Sequence, residues 1–400
     1  ALLLFLGVVG GLWFWMQRKD VPKKPRLLPP HPLVAGIRKS YSQWRAHFRA
    51  WYRATVPLHW RKASKWIVLG FIAAFILAGQ FFLRRESPLA LYFYDIGQGD
   101  GFLMRTREGF DVLVDGGPTG RIVEKLGRTL PFWDKTIELM ILTHPHADHA
   151  VGQLAVLKRF KVERVLATGV LHTTDEYISW LQEIKRQGIP MEIARAGSTF
   201  EISNPKHQIP NKFQITNPKL EILYPSEDFS GRRVTEGKIG EGGGLNDTSI
   251  VMRLTYGATS FLLMGDATSA VEKELIKCNS SQSVISTKRP AGARGEISHG
   301  TSMQGVRSLD SARDDNWCDL HSDVLKVGHH GSKYSTSVEF LKAVQPKYAV
   351  IQSGKENRYG HPAYSTLWRL NQAGADVLRN DTDGDVVCES DGRTVSCNKK

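Results

Sequence analysis

Residues 137–149 read IELMILTHPHADH, an apolar run that ends in four ligand-type side chains within six positions. The apolar part, IELMILT (137–143), predicts a buried strand. His144, His146 and Asp148 then alternate, as suits a loop wrapped around a cation. His149, beside Asp148 at a predicted helix start, lets the same turn reach a second, adjacent cation. Imidazole favours Zn-, Fe- or Mn-type ions, and carboxylate adds hard-oxygen character. A polar loop with chance histidines is the plainer alternative. The density of ligand types at a strand end weighs against it.

Two further strand ends repeat the pattern. FLLM (261–264) runs into Gly265-Asp266-Ala267. An acid where a buried strand emerges needs a partner, and a bridging position between two metals supplies one. Capping of the following helical run by Asp266 is compatible with the same residues. VGHHGSK (327–333) also follows an apolar strand, so His329 or His330 is expected to complete the second metal's shell. Gly331 and Ser332, with Lys333 alongside, are candidate phosphate contacts through backbone N–H, hydroxyl and ammonium. His361, before Pro362, is either a phosphate contact or leaving-group acid, or simply a helix cap.

Around these sites the chain alternates strands and helices. LALYFY (89–94), GFLMRT (101–106) and FDVLVD (110–115) read as strands joined by Gly-containing turns. TGRIVEKLG (119–127) reads as a helix, and further helices are expected near 150–159 and 175–187. Strands are expected near 162–167 and 190–194. SIVMRLTYG and ATSFLLMGD (249–266) form a hairpin around Gly257, and DVLKVG, PKYAVIQSG and ADVLRN complete the strand set. Hairpins begin each half and helices separate the later strands. An α+β fold follows, two sheets covered by outer helices (an αββα sandwich), not one doubly wound sheet.

These residues resemble the metallo-β-lactamase fold hydrolases and, within them, the ComEC competence (DNA uptake) branch. The resemblance covers roughly residues 89–387. It rests on YDIGQGD (94–100), LVDGG (113–117), THPHADH (143–149), NDTSIVMRL (246–254), FLLMGDA (261–267), VGHHGSKYSTS (327–337) and YGHP (359–362). It implies two divalent metal ions, Zn or Mn. His144 and His146 would hold one, and Asp148, His149 and His330 (or His329) the other. Asp266 would bridge them, Asp115 would organise the site from behind, and Asp100 would lie near it. Many members of the fold place a third histidine between HxHxDH and the bridging Asp. Here that interval holds only His172 and His207, and Asn246 or Asp247 stands where the ligand is expected. An oxygen ligand there tilts the preference toward Mn.

The ligand set implies a mechanism: paired cations lower the pKa of a water and stabilise a phosphodiester under in-line attack, with Asp148 or Asp266 accepting the proton. The resemblance, not the composition, implies single-stranded DNA as substrate, and a channel upstream or in a separate polypeptide. Lys326, Lys333, Lys342, Lys347, Lys355 and Arg358 against Glu339 and Glu356 give residues 326–358 a local +4. Such a rim attracts a polyanion, unless it is only a solvated face.

The chain has 400 residues, is 41% apolar and contains four cysteines, which excludes a disordered, collagen-like or disulfide-dense miniprotein. Its net charge of +13 does not spread evenly: residues 17–65 hold thirteen Lys/Arg against Asp20 alone, so +12 belongs to one segment. The uncharged run 66–83 (WIVLGFIAAFILAGQFFL) reads as a transmembrane helix, and 1–16 as part of another. The basic segment would stay in the cytoplasm and the remainder face outward, a cell-membrane protein with an extracytoplasmic catalytic domain. Ile37, Tyr41, Trp44, Phe48 and Trp51 recur at helical spacing among arginines, an amphipathic helix suited to an anionic membrane surface. Residues 88–400 form the hydrolase domain, and 280–316, without periodicity, reads as a disordered insertion. Cys278 and Cys318 bracket that insertion and Cys388 and Cys397 flank a turn, so these are the expected pairs.

Three functions fit. They are a membrane-anchored DNA phosphodiesterase, a same-fold phosphodiesterase acting on a phosphocholine-like surface substrate, and a non-catalytic DNA-binding subunit.

Overall fold

The computed structural model describes residues 89–203, 217–234, 244–286 and 318–400, with isolated helical positions between 43 and 74. The run 1–16, most of 17–65 and 66–83, and residues 287–316 of the expected insertion lie outside the described residues; residues 280–286, expected to be disordered, are instead the end of a helix. Among those described, no helix is long and apolar enough to cross a membrane. Within the basic segment Trp44, Phe48 and Trp51 are helical, with rings 5.5 and 5.8 Å apart in sequence order. The chain divides into Ala1–Arg85 and Glu86–Lys400, and the second unit carries the strands.

Two large sheets build that unit. The first has the order β17-β16-β1-β2-β3-β5-β7-β8. Its strands are β1 (Leu89–Phe93), β2 (Phe102–Arg105), β3 (Asp111–Val114), β5 (Leu139–Leu142), β7 (Val165–Ala167), β8 (Met191–Ile193), β16 (Val386–Ser390) and β17 (Val395–Lys399). The second runs β15-β14-β13-β12-β11-β10-β9. It comprises β9 (Thr199–Glu201), β10 (Lys219–Tyr224), β11 (Val251–Tyr256), β12 (Thr259–Leu263), β13 (Val324–Lys326), β14 (Tyr348–Ile351) and β15 (Asp376–Arg379). A small parallel pair, β4 (Thr136–Ile137) with β6 (Lys161–Val162), sits apart.

The period-2 pattern sorts side chains to two faces of each sheet. Leu89, Leu91, Phe93, Phe102 and Met104 meet Leu220, Ile222, Met252, Phe261 and Leu263 in the core between the sheets. Leu103, Leu113 and Met140 point the other way. They pack on α1 (Arg121–Thr129), α2 (Ala147–Leu157) and α3 (Asp175–Gln187). Leu262, Leu325 and Ala349 do the same against α4 (Ser269–Ser286), α5 (Val338–Val344) and α6 (Tyr364–Gln372). Three apolar clusters separate four layers, the expected αββα sandwich.

Details differ from the sequence expectation. The second helix starts at Ala147, not near 150, because His146 in extended conformation is its N-cap and Asp148 opens its first turn. The 162–167 segment splits into β6 and β7. Strands β9 and β10 were not foreseen; KLEILY carries two charges that mask a strand buried mainly at Leu220, Ile222, Leu223 and Tyr224. Both expected disulfides, Cys278–Cys318 and Cys388–Cys397, are formed, the latter between directly paired strand positions.

Two glycines let the loops close on one another. A Cβ at Gly152 of α2 would stand 1.8 Å from Gly116 O, so the helix rests directly on the turn after β3. Gly152 N–H donates to Gly117 O across the same contact (2.9 Å). Gly99, at φ +142°, brings the YDIGQGD loop against the Asp148 carbonyl, where a Cβ would lie 2.2 Å away.

Candidate metal centre

The ends of β3, β5, β12 and β13 converge. Asp115 follows β3 in the left-handed region (φ 54°) and turns its carboxylate back under the HxHxDH loop. There Thr143 N–H donates to Oδ1 (2.9 Å), Thr143 Oγ1 donates to Oδ2 (2.8 Å), and His149 Nδ1 lies 2.8 Å from Oδ2. His149 is thereby oriented with Nε2 pointing into the centre. On the other sheet, Ser249 Oγ accepts the Asp266 N–H (3.1 Å). His330, at φ 54°, sets Nδ1 3.0 Å from Gln352 O and 3.2 Å from Asp100 Oδ1.

The Asp266 carboxylate is the common vertex. Its Oδ2 lies 3.3 Å from His330 Nε2, 3.5 Å from His149 Nε2 and 4.0 Å from His144 Nε2. Asp148 Oδ2 is 3.5 Å from His330 Nε2, and His146 Nδ1 is 2.9 Å from His144 Nε2. Four overlapping ligand sets occur among the described residues; two of them, His144, His149 and Asp266, and Asp148, His149 and His330, share His149. Among the described residues, His149 Nε2, His330 Nε2 and Asp266 Oδ1 are buried with no hydrogen-bond partner. Buried polar atoms left so in a native fold call for an ion. The imidazole and carboxylate donors fit divalent Zn or Mn.

With no cation bound, the carboxylates and rings of the cluster compensate one another's charge. Burial alone would raise the Asp266 carboxyl, but the His330 and His149 rings hold it well below the usual carboxylate range. Burial opposes charge on His149 and His330 too, yet Asp266, with Asp115 for the first and Asp100 for the second, pushes both well above the ordinary imidazole value. His144 goes down, through burial and then its neighbours His149 and His146.

A cavity of about 640 Å³ opens onto the cluster, walled by His146, Asp148, Asn246, Asp266, His330 and His361 among others. His146, an expected ligand, and His329 both line it but join none of the three-residue ligand sets found among the described residues; His329 Nε2 faces Asn246 Nδ2 at 3.2 Å. Of the HH pair, His330 is the one that reaches Asp148 and Asp266. Asp247 is engaged elsewhere, accepting from Thr268 Oγ1 (2.5 Å) and from the Tyr224 hydroxyl at its carbonyl (2.8 Å). His172 comes within 6.2 Å of His146, ring to ring, a proximity no local pattern announces.

Two expectations are corrected and a third is narrowed. Of the expected phosphate contacts, not every group is free to serve. Ser332 N–H is spent on His329 O (2.8 Å), and Gly331 lies against Pro362 off the cavity wall, which Ser332 and Lys333 do reach. Lys326 does not belong to a basic rim: it is fully buried, donating to Asp100 and to Gly265 O (2.9 Å). A lysine inside the apolar strand DVLKVG was the signal that such a partner existed. The capping readings also fall away, since Ala363 is the N-cap of α6 and Thr268 Oγ1 accepts the Ala270 N–H (3.3 Å) at the start of α4.

A model of the metallo-beta-lactamase superfamily matches residues 94–355. ComE operon protein 3 of Bacillus subtilis (strain 168) is 29% identical over 311 residues, 73% of this chain and 32% of that protein. Competence protein ComA of Neisseria gonorrhoeae is 26% identical over 303 residues, 75% of this chain and 32% of that protein. The chain thus spans about a third of the length of these curated relatives. Among solved structures, Zn(2+)-bound PqqB from Methylobacterium extorquens is similar at 10% identity and a TM-score of 0.38, covering 70% of this chain and 85% of that one.

Proposed function

This chain belongs to the metallo-beta-lactamase superfamily, and from that premise we propose that it is a membrane-anchored, two-metal phosphodiesterase that cleaves single-stranded DNA during DNA uptake. One observation carries the reading: Asp266 Oδ2 stands within 4.0 Å of three imidazole Nε2 atoms from two sheets. The relative named Competence protein ComA, together with the sequence resemblance to the competence branch, supports DNA as the substrate class. The +12 segment beside the apolar run 66–83 supports the anchor, and the two disulfides support an extracytoplasmic catalytic unit.

His144, His146 and Asp266 would hold one cation, and Asp148, His149, His330 and Asp266 the other. Two divalent cations there would supply charge against the phosphodiester and lower the pKa of a nearby water. Asp115 fixes His149, and Asp100 with Gln352 fixes His330, so neither ring needs to reorganise on binding. The Asp148 carboxylate is partly exposed to the cavity and is the group placed to take a proton from the attacking water. Lys333 and His361 line the cavity and would meet a phosphate bound there; among the described residues His361 Nδ1 has no hydrogen-bond partner.

The test incubates the purified chain with end-labelled single-stranded DNA and Mn or Zn, beside an Asp148→Ala/His149→Ala control. Metal-dependent cleavage that the control loses supports the proposal. Turnover of small phosphodiesters alone would favour a surface phosphodiesterase, and binding without turnover a DNA-binding subunit.

A further inference from the structure

Four exposed aromatic side chains stand on, or directly beyond in sequence, segments that line the cavity. Tyr334 (42% exposed) and Tyr359 (56%) form part of its wall. Tyr364 (82%) and Trp368 (52%) follow on α6, four positions apart and so on one helix face. They begin directly beyond Ala363, which also lines the cavity. Apolar surface gathered next to a polar cleft marks a binding region more often than a packing accident.

Each wall tyrosine carries a cation. Lys333 Nζ lies 5.0 Å from the Tyr334 ring centroid, and the Arg358 guanidinium carbon 5.2 Å from that of Tyr359. Tyr359 is also stacked on His361, centroids 5.9 Å and planes 18° apart, and His361 stands 5.6 Å from His329. Rings therefore run from the metal cluster outward to the rim. Their scaffold is tied down: Arg369 of α6 donates to Thr336 O (2.7 Å) and Ser335 O (2.9 Å), and Ala363 N–H to Gly331 O (2.8 Å).

We propose that this rim is a stacking platform for the bases of a single-stranded nucleic acid whose phosphates lead into the metal cluster, an inference that rests on the phosphodiesterase reading above. Alternating rings and cations match a chain of alternating bases and phosphates. A duplex keeps its bases stacked inside and offers no ring faces. A small diester is too short to use aromatics that continue onto α6. A protein partner would also value tyrosine and tryptophan, but it gives no reason for a cation on each wall tyrosine beside a phosphate site.

The experiment measures binding of the full chain, in chelator, to labelled oligothymidylate of about twelve nucleotides and to an abasic deoxyribose-phosphate chain of equal length. Fluorescence anisotropy should show oligothymidylate bound at least about tenfold tighter. Tyr359→Ala and Tyr334→Ala should each remove about tenfold from that affinity, and Tyr359→Phe should restore it. Equal binding of the two polymers, or alanine variants that bind oligothymidylate like the parent, overturns the platform; a protein-docking role predicts that result. Failure here is separable from failure of the enzyme. A parent chain that hydrolyses bis(p-nitrophenyl) phosphate with Mn but ignores bases sinks the platform alone. One that prefers bases but cleaves no phosphodiester sinks the hydrolase alone.

Discussion

Lys326 and Asp100, 226 positions apart in the chain, form an ion pair with no solvent exposure on either side chain. The pair joins β13 of one sheet to the YDIGQGD loop of the other. It also ties both to the metal cluster, because Lys326 holds the carbonyl before Asp266 and Asp100 holds His330. Burial would raise the Asp100 carboxyl; Lys326 and then His330 bring it below its ordinary value.

Removing one partner leaves the other charge buried and alone, at a cost of about 3–5 kcal/mol. Lys326→Met should therefore destabilise the chain by that order in urea unfolding. Adding Asp100→Asn should recover part of the loss. A double variant as unstable as the sum of the two singles would show that the pair is not coupled.

Asp115 supports the centre through His149 and, by way of Thr143, through the loop that carries His144. Asp115→Asn keeps a residue type that tolerates the left-handed backbone but weakens the charge-assisted bond to the ring. Metal affinity should fall about 10–100-fold, read by competition with a chromophoric chelator. Unchanged affinity would remove Asp115 from the centre's support.

Gly152→Ala pushes a methyl into the turn after β3 and should displace α2, which carries Asp148 and His149. Thermal stability and metal affinity should drop together. Gly127→Ala, on α1 with no atom within 4 Å of the new methyl, is expected to stabilise by about 0.5–1 kcal/mol. Parallel melts of the two variants decide whether close approach or helix propensity governs.

Asp111 titrates away from the metal cluster. Burial pushes its carboxyl up to about 8 against the pull of Arg105, 2.6 Å away, with Glu138 adding to the rise. A raised acid contributes stability that is complete below its unfolded value near 4 and is lost as pH climbs through about 8. The melting midpoint should fall between pH 5 and pH 9, and Asp111→Asn, a mimic of the protonated form, should flatten that fall. Parallel curves for the two proteins would contradict the raised value.

Much of the centre was legible because its residues sit where apolar runs stop. IELMILT, FLLM and DVLKV each announce a buried strand, and a histidine or aspartate just past such an end has to meet something polar. The cysteine pairs were legible for a similar local reason, flanking a turn or an insertion. Strand β10 was hidden by Lys219 and Glu221, whose charged tips alternate with the buried Leu220 and Ile222.

Local sequence thus determined which elements form, which faces they bury, and which side chains gather at the ends of strands, since periodicity is a property of neighbours along the chain. Only the tertiary structure decided that His330 and not His329 meets Asp266, that Lys326 turns inward to Asp100, and that Tyr334 and Tyr359 line one cavity. These depend on two left-handed residues after β13 and on how the sheets stack. Contacts between segments more than 200 residues apart (Lys326 with Asp100 among them) are set by packing across the core, and no window of sequence encodes that distance.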